Sequence, residues 1–469
     1  MKKNYKYLFK NIGLLTISQF GTKLLSFLLV PLYTNILNTT EYGTYDLFNT
    51  TVNLLIPIVT LNIADSILVF TLDKTKNKTN IFSIGLKYTF VGTIIVLILS
   101  YANKCLNILE VFNQYWYYLP ILLFLMVMVS LLTCFARGID RVKETAISGV
   151  LCSAVMIGLN ILFLVYLRFG LYGYFLASII GYAVQVIYLF ISCKCWNYVS
   201  FEKNNKLEKE MKDYSLPMIA NTLGWWINNS SDRYIVIWLC GVAANGIYSV
   251  GYKIPQIINM FQNIFNQAWT MSAVKSFDSE NSEKFFSKMY AIYNCGMTLV
   301  CAGIIVSTKI LAKFLYAKDF YTAWQYVPFL SMAIVFGALS GYLGGIFSAV
   351  KDAKIFAKST VVGAGVNIIL NIVLVYMMGP LGAAIATAIS YLIVWGIRLK
   401  HAKQYVQLQI NLKRDIFTYI ILIVESIILF VIKNVIIMYI LEVITVILLV
   451  ICYKIEIQGI LNKVLYRKE

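Results

Sequence analysis

Histidine is all but missing: His401 is the only one in 469 residues. One imidazole cannot build a His-based metal centre or an acid–base pair, so those chemistries are excluded. Charge is scarce as well. Asp, Glu, Lys and Arg make up 13% of the chain, against roughly 25% in a soluble domain. The nine cysteines give no framework. Seven are isolated, and Cys193 and Cys195 form a C-x-C that lacks the further ligands zinc would need. What fills the space is apolar: 59% hydrophobic residues and a mean hydropathy of +0.74. No single soluble core absorbs so many apolar runs, so the bilayer is the solvent for most of the chain.

Runs of membrane-spanning length recur along the whole sequence. Spans are expected near 11–33, 43–69, 82–102, 115–135, 145–167, 171–192, 217–240, 247–272, 289–308, 323–349, 359–378, 380–397, 415–432 and 435–452. The alternate loops differ sharply in charge. One set, from Lys2, Lys3, Lys6 and Lys10 through the Lys194–Lys212 stretch to Arg398 and Lys468, holds about 30 of the 40 basic residues. The opposite set holds about six, three of them Lys309, Lys313 and Lys318. The positive-inside rule makes the first set cytoplasmic. Both termini then lie inside, which needs an even number of spans, and fourteen fits. The net charge of +18 is therefore a topology signal, and nucleic acid is not expected as a partner. Residues 1–33 lack the short apolar stretch and small-residue cleavage site of a secretory leader and are expected to stay as the first span.

The chain resembles itself at an offset of 203–212 residues. Gly43 and Tyr45 match Gly246 and Tyr248, in EYGTYDL (41–47) and ANGIYSV (244–250). Further on, Gly173, Ala177 and Tyr182 match Gly382, Ala386 and Tyr391. The offset carries span 1 onto span 7. Six spans are an even number, so the halves run in the same direction as parallel repeats. The organisation expected is a first six-helix lobe over 1–212, a second over 213–402, and an additional pair with a tail over 403–469.

Several spans carry polar stripes. In NTLGWWINNSSDRYIVIWLCG (221–241), Asn221, Trp225, Asn228 and Asp232 share one helical face. Span 8 repeats the pattern with Tyr252, Gln256, Asn259, Asn263 and Asn266. Span 1 has Thr16, Gln19, Lys23 and Ser26, and span 2 has Asn49 and Asn53 with Pro57 as a candidate kink. An ionised side chain at mid-bilayer costs roughly 2.5–3.5 kcal/mol, so the stripes face either each other or a wet cavity, and the cavity accounts better for their recurrence in both halves. The deep bases are Lys23, Arg233 and Lys253, a surplus that suits an anion. Arg233 offers a bidentate contact to a phosphate, and the lysines act as point charges. Asp232–Arg233 reads equally as an internal ion pair. Asp65 and Asp232 are candidates for carrying a coupling proton or sodium ion. Lys87 is expected to reach the cytoplasmic interface, and Glu425 and Glu442 to be interface or helix-pair contacts.

The stretches ISQFGTKLLSFLLVPLYTNILNTTEYGTYDL and SSDRYIVIWLCGVAANGIYSVGYKIP resemble the oligosaccharide flippases of capsule and O-antigen synthesis. That family shares a superfamily with the MATE multidrug exporters and the lipid II flippases. The resemblance implies an all-α integral membrane protein with a MATE-like fold: two parallel six-helix bundles, two extra C-terminal helices and fourteen spans. It implies a bacterial cytoplasmic membrane location. The implied substrate is a polyprenyl-diphosphate-linked oligosaccharide, carried from the cytoplasmic to the outer leaflet. Lys23, Arg233 and Lys253 fall where that family has its cationic cavity. Asn221, Trp225, Asn228, Tyr252, Gln256, Asn259 and Asn263, on the stripes of spans 7 and 8, are the matching sugar contacts, Gln19, Asn49 and Asn53 are further sugar-contact candidates from their own polar stripes, and the last two spans offer a groove for the lipid tail. No cofactor is expected, and the coupling ion, H+ or Na+, stays open. A polymerase and glycosyltransferases of the same pathway are the expected protein partners. A lipid II flippase and a MATE-type exporter of cationic drugs are the near alternatives, and a membrane polysaccharide polymerase the distant one. The exporter would favour an acidic cavity. The polymerase would need an acid–base pair on a large outward loop, and the outward loops are short.

Overall fold

The computed structural model describes residues 27–73, 75–200, 202–276, 282–350 and 353–465. Helices account for nearly all of them, and no strand occurs among the described residues. In chain order they are α1 (Val30–Ile36), α2 (Thr39–Val59), α3 (Ile63–Leu72), α4 (Lys78–Leu106), α5 (Tyr118–Gly138), α6 (Val142–Asn160), α7 (Gly170–Ser192) and α8 (Asn205–Cys240). They continue with α9 (Val242–Gly251), α10 (Gln256–Ser276), α11 (Ser282–Leu315), α12 (Val327–Ala349), α13 (Ala353–Met378), α14 (Pro380–Ala402), α15 (Leu412–Val431), α16 (Val435–Cys452) and α17 (Lys454–Leu465). Among the described residues nine helices are long and apolar enough to cross a bilayer, and the bent pair α2–α3 adds a tenth. The protein is a multi-pass membrane protein. Helices α8, α10 and α15 carry too many polar or charged residues to qualify on composition alone.

Two expected spans are not continuous. Span 2 breaks between α2 and α3 with a bend of 59°. Pro57 lies inside α2, where it has no N–H to donate to the preceding turn. The break itself comes at Thr60–Asn62, where Leu61 and Asn62 both take left-handed φ values of 52°. Gly92 of α4 lets this end approach closely: a Cβ there would lie 2.9 Å from the Val59 carbonyl oxygen. Span 8 is likewise divided, into α9 and α10, by the turn Tyr252–Pro255. Tyr252 therefore does not share a continuous helix with Gln256, because Pro255 interrupts the backbone ladder.

The chain forms two compact units, Met1–Trp226 and Ile227–Glu469, with the boundary inside α8. In the first unit α3, α4 and α5 close around Ile67, Phe82, Leu131 and Phe135, which Leu189 of α7 and Met211 of α8 complete. A second core joins α2, α5 and α7 through Phe48, Leu122 and Phe175. In the second unit α12 is the most enclosed span and packs on α10, α11 and α14. Each unit contains a helical hairpin tightened by a glycine. A Cβ at Gly173 would lie 2.9 Å from the Phe163 Cβ, and one at Gly382 would lie 2.0 Å from the Leu374 carbonyl oxygen. These are equivalent positions of the sequence repeat. The hairpin α15–α16 packs against α11.

Three charges sit differently from expectation. Arg398, assigned by the sequence to a cytoplasmic loop, is buried in the last turns of α14. Its Nε and Nη2 donate to the hydroxyls of Ser359 and Thr360, and its Nη1 to the Ser340 carbonyl, each at 2.9 Å. Lys309, expected in an outward loop, lies inside α11, which runs seven residues beyond the expected span end at 308. Lys87 pairs with Glu208 of α8 at 2.9 Å instead of simply reaching for water, and Tyr88 donates to the same carboxylate at 2.7 Å. Lys76 and Glu210 form a neighbouring pair. Burial would raise the Glu208 carboxyl, but the Tyr88 hydrogen bond and the Lys87 ammonium overcome that and hold it below the usual carboxylate range. A group depressed in the folded state stabilises above its unfolded pKa and loses that contribution as pH falls through the folded one. Glu208→Gln is therefore expected to cost about 1 kcal/mol at neutral pH, discounted because Lys87 is half in solvent. Thermal unfolding in detergent should show the difference from wild type shrinking as pH falls below the ordinary carboxylate range.

Candidate functional site

The polar segment of α8 is reached through a single-residue turn. Gly241 lies between α8 and α9 with φ 88° and ψ 169°, a conformation essentially reserved for glycine. Its N–H still donates to the Ile237 carbonyl at 2.9 Å, closing α8. The chain then turns back, and Tyr248 and Tyr252, one helical turn apart, face Asp232. Asp232 is 1% exposed. Its carboxylate accepts from the Tyr248 hydroxyl at 2.6 Å, the Tyr252 hydroxyl at 2.8 Å and the Arg233 backbone N–H at 2.9 Å. The Arg233 guanidinium sits 5.4 Å from the centre of the Tyr252 ring, a cation–π arrangement. One carboxylate, two phenols and one guanidinium thus form a unit on α8 and α9.

The rest of the segment divides its polar groups among neighbouring helices. Asn228 is buried and donates to the Thr360 carbonyl of α13 at 3.3 Å. Asn229 accepts from the Tyr391 hydroxyl of α14 at 2.8 Å. Ser231 reaches Asn367 at 3.4 Å. Asn367 in turn accepts from Asn371 at 3.0 Å and donates to Thr387 at 3.5 Å. The Asn371 Oδ1 is buried and receives no hydrogen bond among the described residues.

The expected site residues therefore fall into groups. Arg233, Asp232 and Tyr252 are together. Lys253 follows in the α9–α10 turn, half-buried. Asn228 and Asp232 are committed to interhelical hydrogen bonds, whereas Trp225 is 38% exposed. Gln256 and Asn263 are exposed on α10, with Asn259 half-buried. In the first unit, Asn49 and Asn53 donate back to carbonyls of their own helix at 3.0 and 2.8 Å. Asp65 is exposed in the first turn of α3 and accepts from Asn62 at 2.8 Å, where the helix dipole favours an acid. Gln19 and Lys23 lie outside the described residues, as does the side chain of Asn221. Sequence reasoning passed over Tyr248 as a polar partner, Asp46 in mid-α2, and the Asn367–Asn371 pair. The last was visible as two asparagines four apart in an otherwise apolar span.

Residues 8–275, more than half of the chain, match the family model described as a polysaccharide biosynthesis protein. The chain belongs to this family. A probable low-salt glycan biosynthesis flippase, Agl15 of Haloferax volcanii, is 20% identical over 208 residues, and the match spans 44% of each chain. The chain thus spans less than half the length of that curated relative. Among solved structures, the lipid II flippase MurJ in an inward closed conformation aligns with a TM-score of 0.72 at 13% identity, covering 97% of this chain and 99% of that one. An inward-facing multidrug resistance MATE transporter of the MOP superfamily aligns with a TM-score of 0.69 at 14% identity, covering 83% and 97%. Both likenesses establish a MurJ/MATE-like fold for this family member.

The turn at Gly241 offers a direct check on how the site is held. No atom lies within 4 Å of a Cβ built there, so a methyl group meets no clash and only the backbone conformation opposes it. Gly241→Ala is expected to cost about 1–3 kcal/mol from strain alone. Chemical unfolding in detergent measures it, and a cost near zero would mean the turn does not hold α9 on α8.

Proposed function

We propose that this protein is a flippase that moves a polyprenyl-diphosphate-linked oligosaccharide from the cytoplasmic to the outer leaflet by alternating access, in the envelope of a bacterial cell. The observation that carries the reading is membership of the polysaccharide biosynthesis family, over a stretch that includes α8–α10 and their cations. The named flippase relative supports the same activity. Chemistry supports it too. A diphosphate needs cations, and Arg233 with its planar donors suits a phosphate oxygen pair better than a lysine would. Lys253 adds a second positive charge in the turn that follows. Exposed amides at Gln256 and Asn263 and the exposed indole of Trp225 match the hydroxyls and apolar faces of sugars.

Lipid II is the second reading, favoured by one observation: the lipid II flippase fold accounts for 97% of this chain and the multidrug transporter for 83%. In either case the cargo is a lipid-borne anion. A proton or sodium ion as driving ion, with Asp232 as carrier, belongs to the same proposal.

Proteoliposomes test it. Purified protein should bring a polyprenyl-diphosphate oligosaccharide to the outer face, where an added glycosidase or lectin reads it. Arg233→Ala and Lys253→Ala should each slow this by roughly 10-fold or more, the worth of a charge-assisted contact, with folding checked by unfolding curves. Neutral variants that transport as wild type would remove the anion site. Transport of a cationic drug instead would remove the flippase reading.

A further inference from the structure

The C-terminal hairpin carries charge where none is needed for packing. The turn Ile432–Asn434 joins α15 to α16. Glu425 stands eight residues before the centre of that turn and Glu442 nine residues after it. At 1.5 Å per residue both lie about 12–14 Å down the hairpin, well within the hydrocarbon depth of a span. Each is fully buried. Their carboxyl groups interact with each other, and none of the four oxygens receives a donor from a protein hydroxyl, amide or ammonium among the described residues. The nearby hydroxyls are used elsewhere: Ser426 donates to the Leu422 carbonyl and Thr445 to the Glu442 carbonyl.

The groups that face the pair are few. From α11 come Lys309, whose charge acts on Glu442, and the Cys301 thiol beside Glu425. From α16 comes Tyr439. The Lys309 ammonium is directed to the Leu429 carbonyl at 2.7 Å and the Met438 sulfur at 3.4 Å, over the Trp324 ring at 4.7 Å. It balances one negative charge without donating to a carboxylate oxygen. The other charges of the hairpin region, Arg414, Asp415 and Glu456, form their own cluster about 15 Å further along α15.

Two ionised carboxylates in contact repel strongly when buried, and one shared proton removes the repulsion. The charge count agrees. Two carboxylates and one ammonium leave a single negative charge, which one proton cancels. A hard metal ion fits less well, because it needs a shell of oxygens and the neighbouring carbonyls already accept hydrogen bonds. We propose that Glu425 and Glu442 form a proton-binding site that holds one proton between their carboxyl groups, with Lys309 as its fixed counter-charge. One carboxyl donates its O–H to the other, and release sends that proton to water. The packing of α15, α16 and α11 is then linked to protonation. This inference does not rest on the flippase reading.

Infrared difference spectroscopy of the full-length protein in lipid nanodiscs, without substrate, tests it. A pH titration should reveal a protonated-carboxyl stretching band. Glu425→Gln and Glu442→Gln should each remove that same band, and the double variant should remove nothing further. An amide pair preserves shape and hydrogen bonding, so all three variants should fold. The proposal is overturned if the band survives in both single variants, if the two remove different bands, or if sodium at fixed pH abolishes the band in the wild type. Transport assays can fail without affecting this result, and a missing band leaves the flippase reading untouched.

Discussion

A polar side chain inside a bilayer must find its partner in the protein, because hydrocarbon supplies neither donors nor acceptors. In the second unit the bond between Asp232 and its two tyrosines is the clearest case. Remove the phenols and a carboxylate sits buried on α8 with only a backbone N–H to hold it. The single-residue turn at Gly241 exists to bring those phenols round. The same requirement distributes the rest of the segment. Asn228 and Ser231 turn to α13, and Asn229 turns to α14. A helix that reads as polar on every side is thus a hub whose faces each meet a different neighbour.

Helix breaks serve the same economy. A membrane-embedded break exposes backbone groups unless something else satisfies them. At Thr60–Asn62 the Thr60 hydroxyl donates to the Ile56 carbonyl at 2.7 Å, and the Asn62 amide caps the acid of the next helix. At Tyr252–Pro255 the backbone keeps turn-type bonds throughout, Lys253 to Val250 and Gln256 to Tyr252 among them. Both breaks sit beside charged residues, Asp65 in one case and Arg233 and Lys253 in the other.

Much of this was legible in the sequence. Eleven of the expected spans coincide with single helices, since long apolar runs have few other solutions in a membrane. The repeat was legible too, and Gly173 and Gly382 show why: each is the residue that lets one helix of a hairpin press against the other, so each resists replacement for the same steric reason. What the sequence hid was direction. A stripe at helical spacing says that Trp225, Asn228 and Asp232 share a face, but not that Trp225 is exposed while the other two are enclosed. Partners from distant helices decide that, and Thr360, Tyr248 and Tyr252 are invisible to a pattern drawn on α8 alone. Arg398 was misplaced for a related reason. It stands in a basic cluster at the end of a span and looks like a loop residue, yet three hydroxyl and carbonyl oxygens from α12 and α13 draw it inward.

Arg398 and Arg233 also show how the fold treats its buried cations in two ways. Arg398 is surrounded by neutral oxygens and lies 4.2 Å from the centre of the Phe356 ring, so nearly all its donors are consumed. Such a residue ties α12, α13 and α14 together and has little left for a ligand. Arg233 is only half-buried, with its guanidinium 5.4 Å from the centre of the Tyr252 ring. Burial alone would single out Arg398 as the special cation. Their surroundings separate the two: Arg398 is held by neutral oxygens of neighbouring helices, whereas Arg233 sits beside the Asp232 carboxylate and the Tyr252 ring.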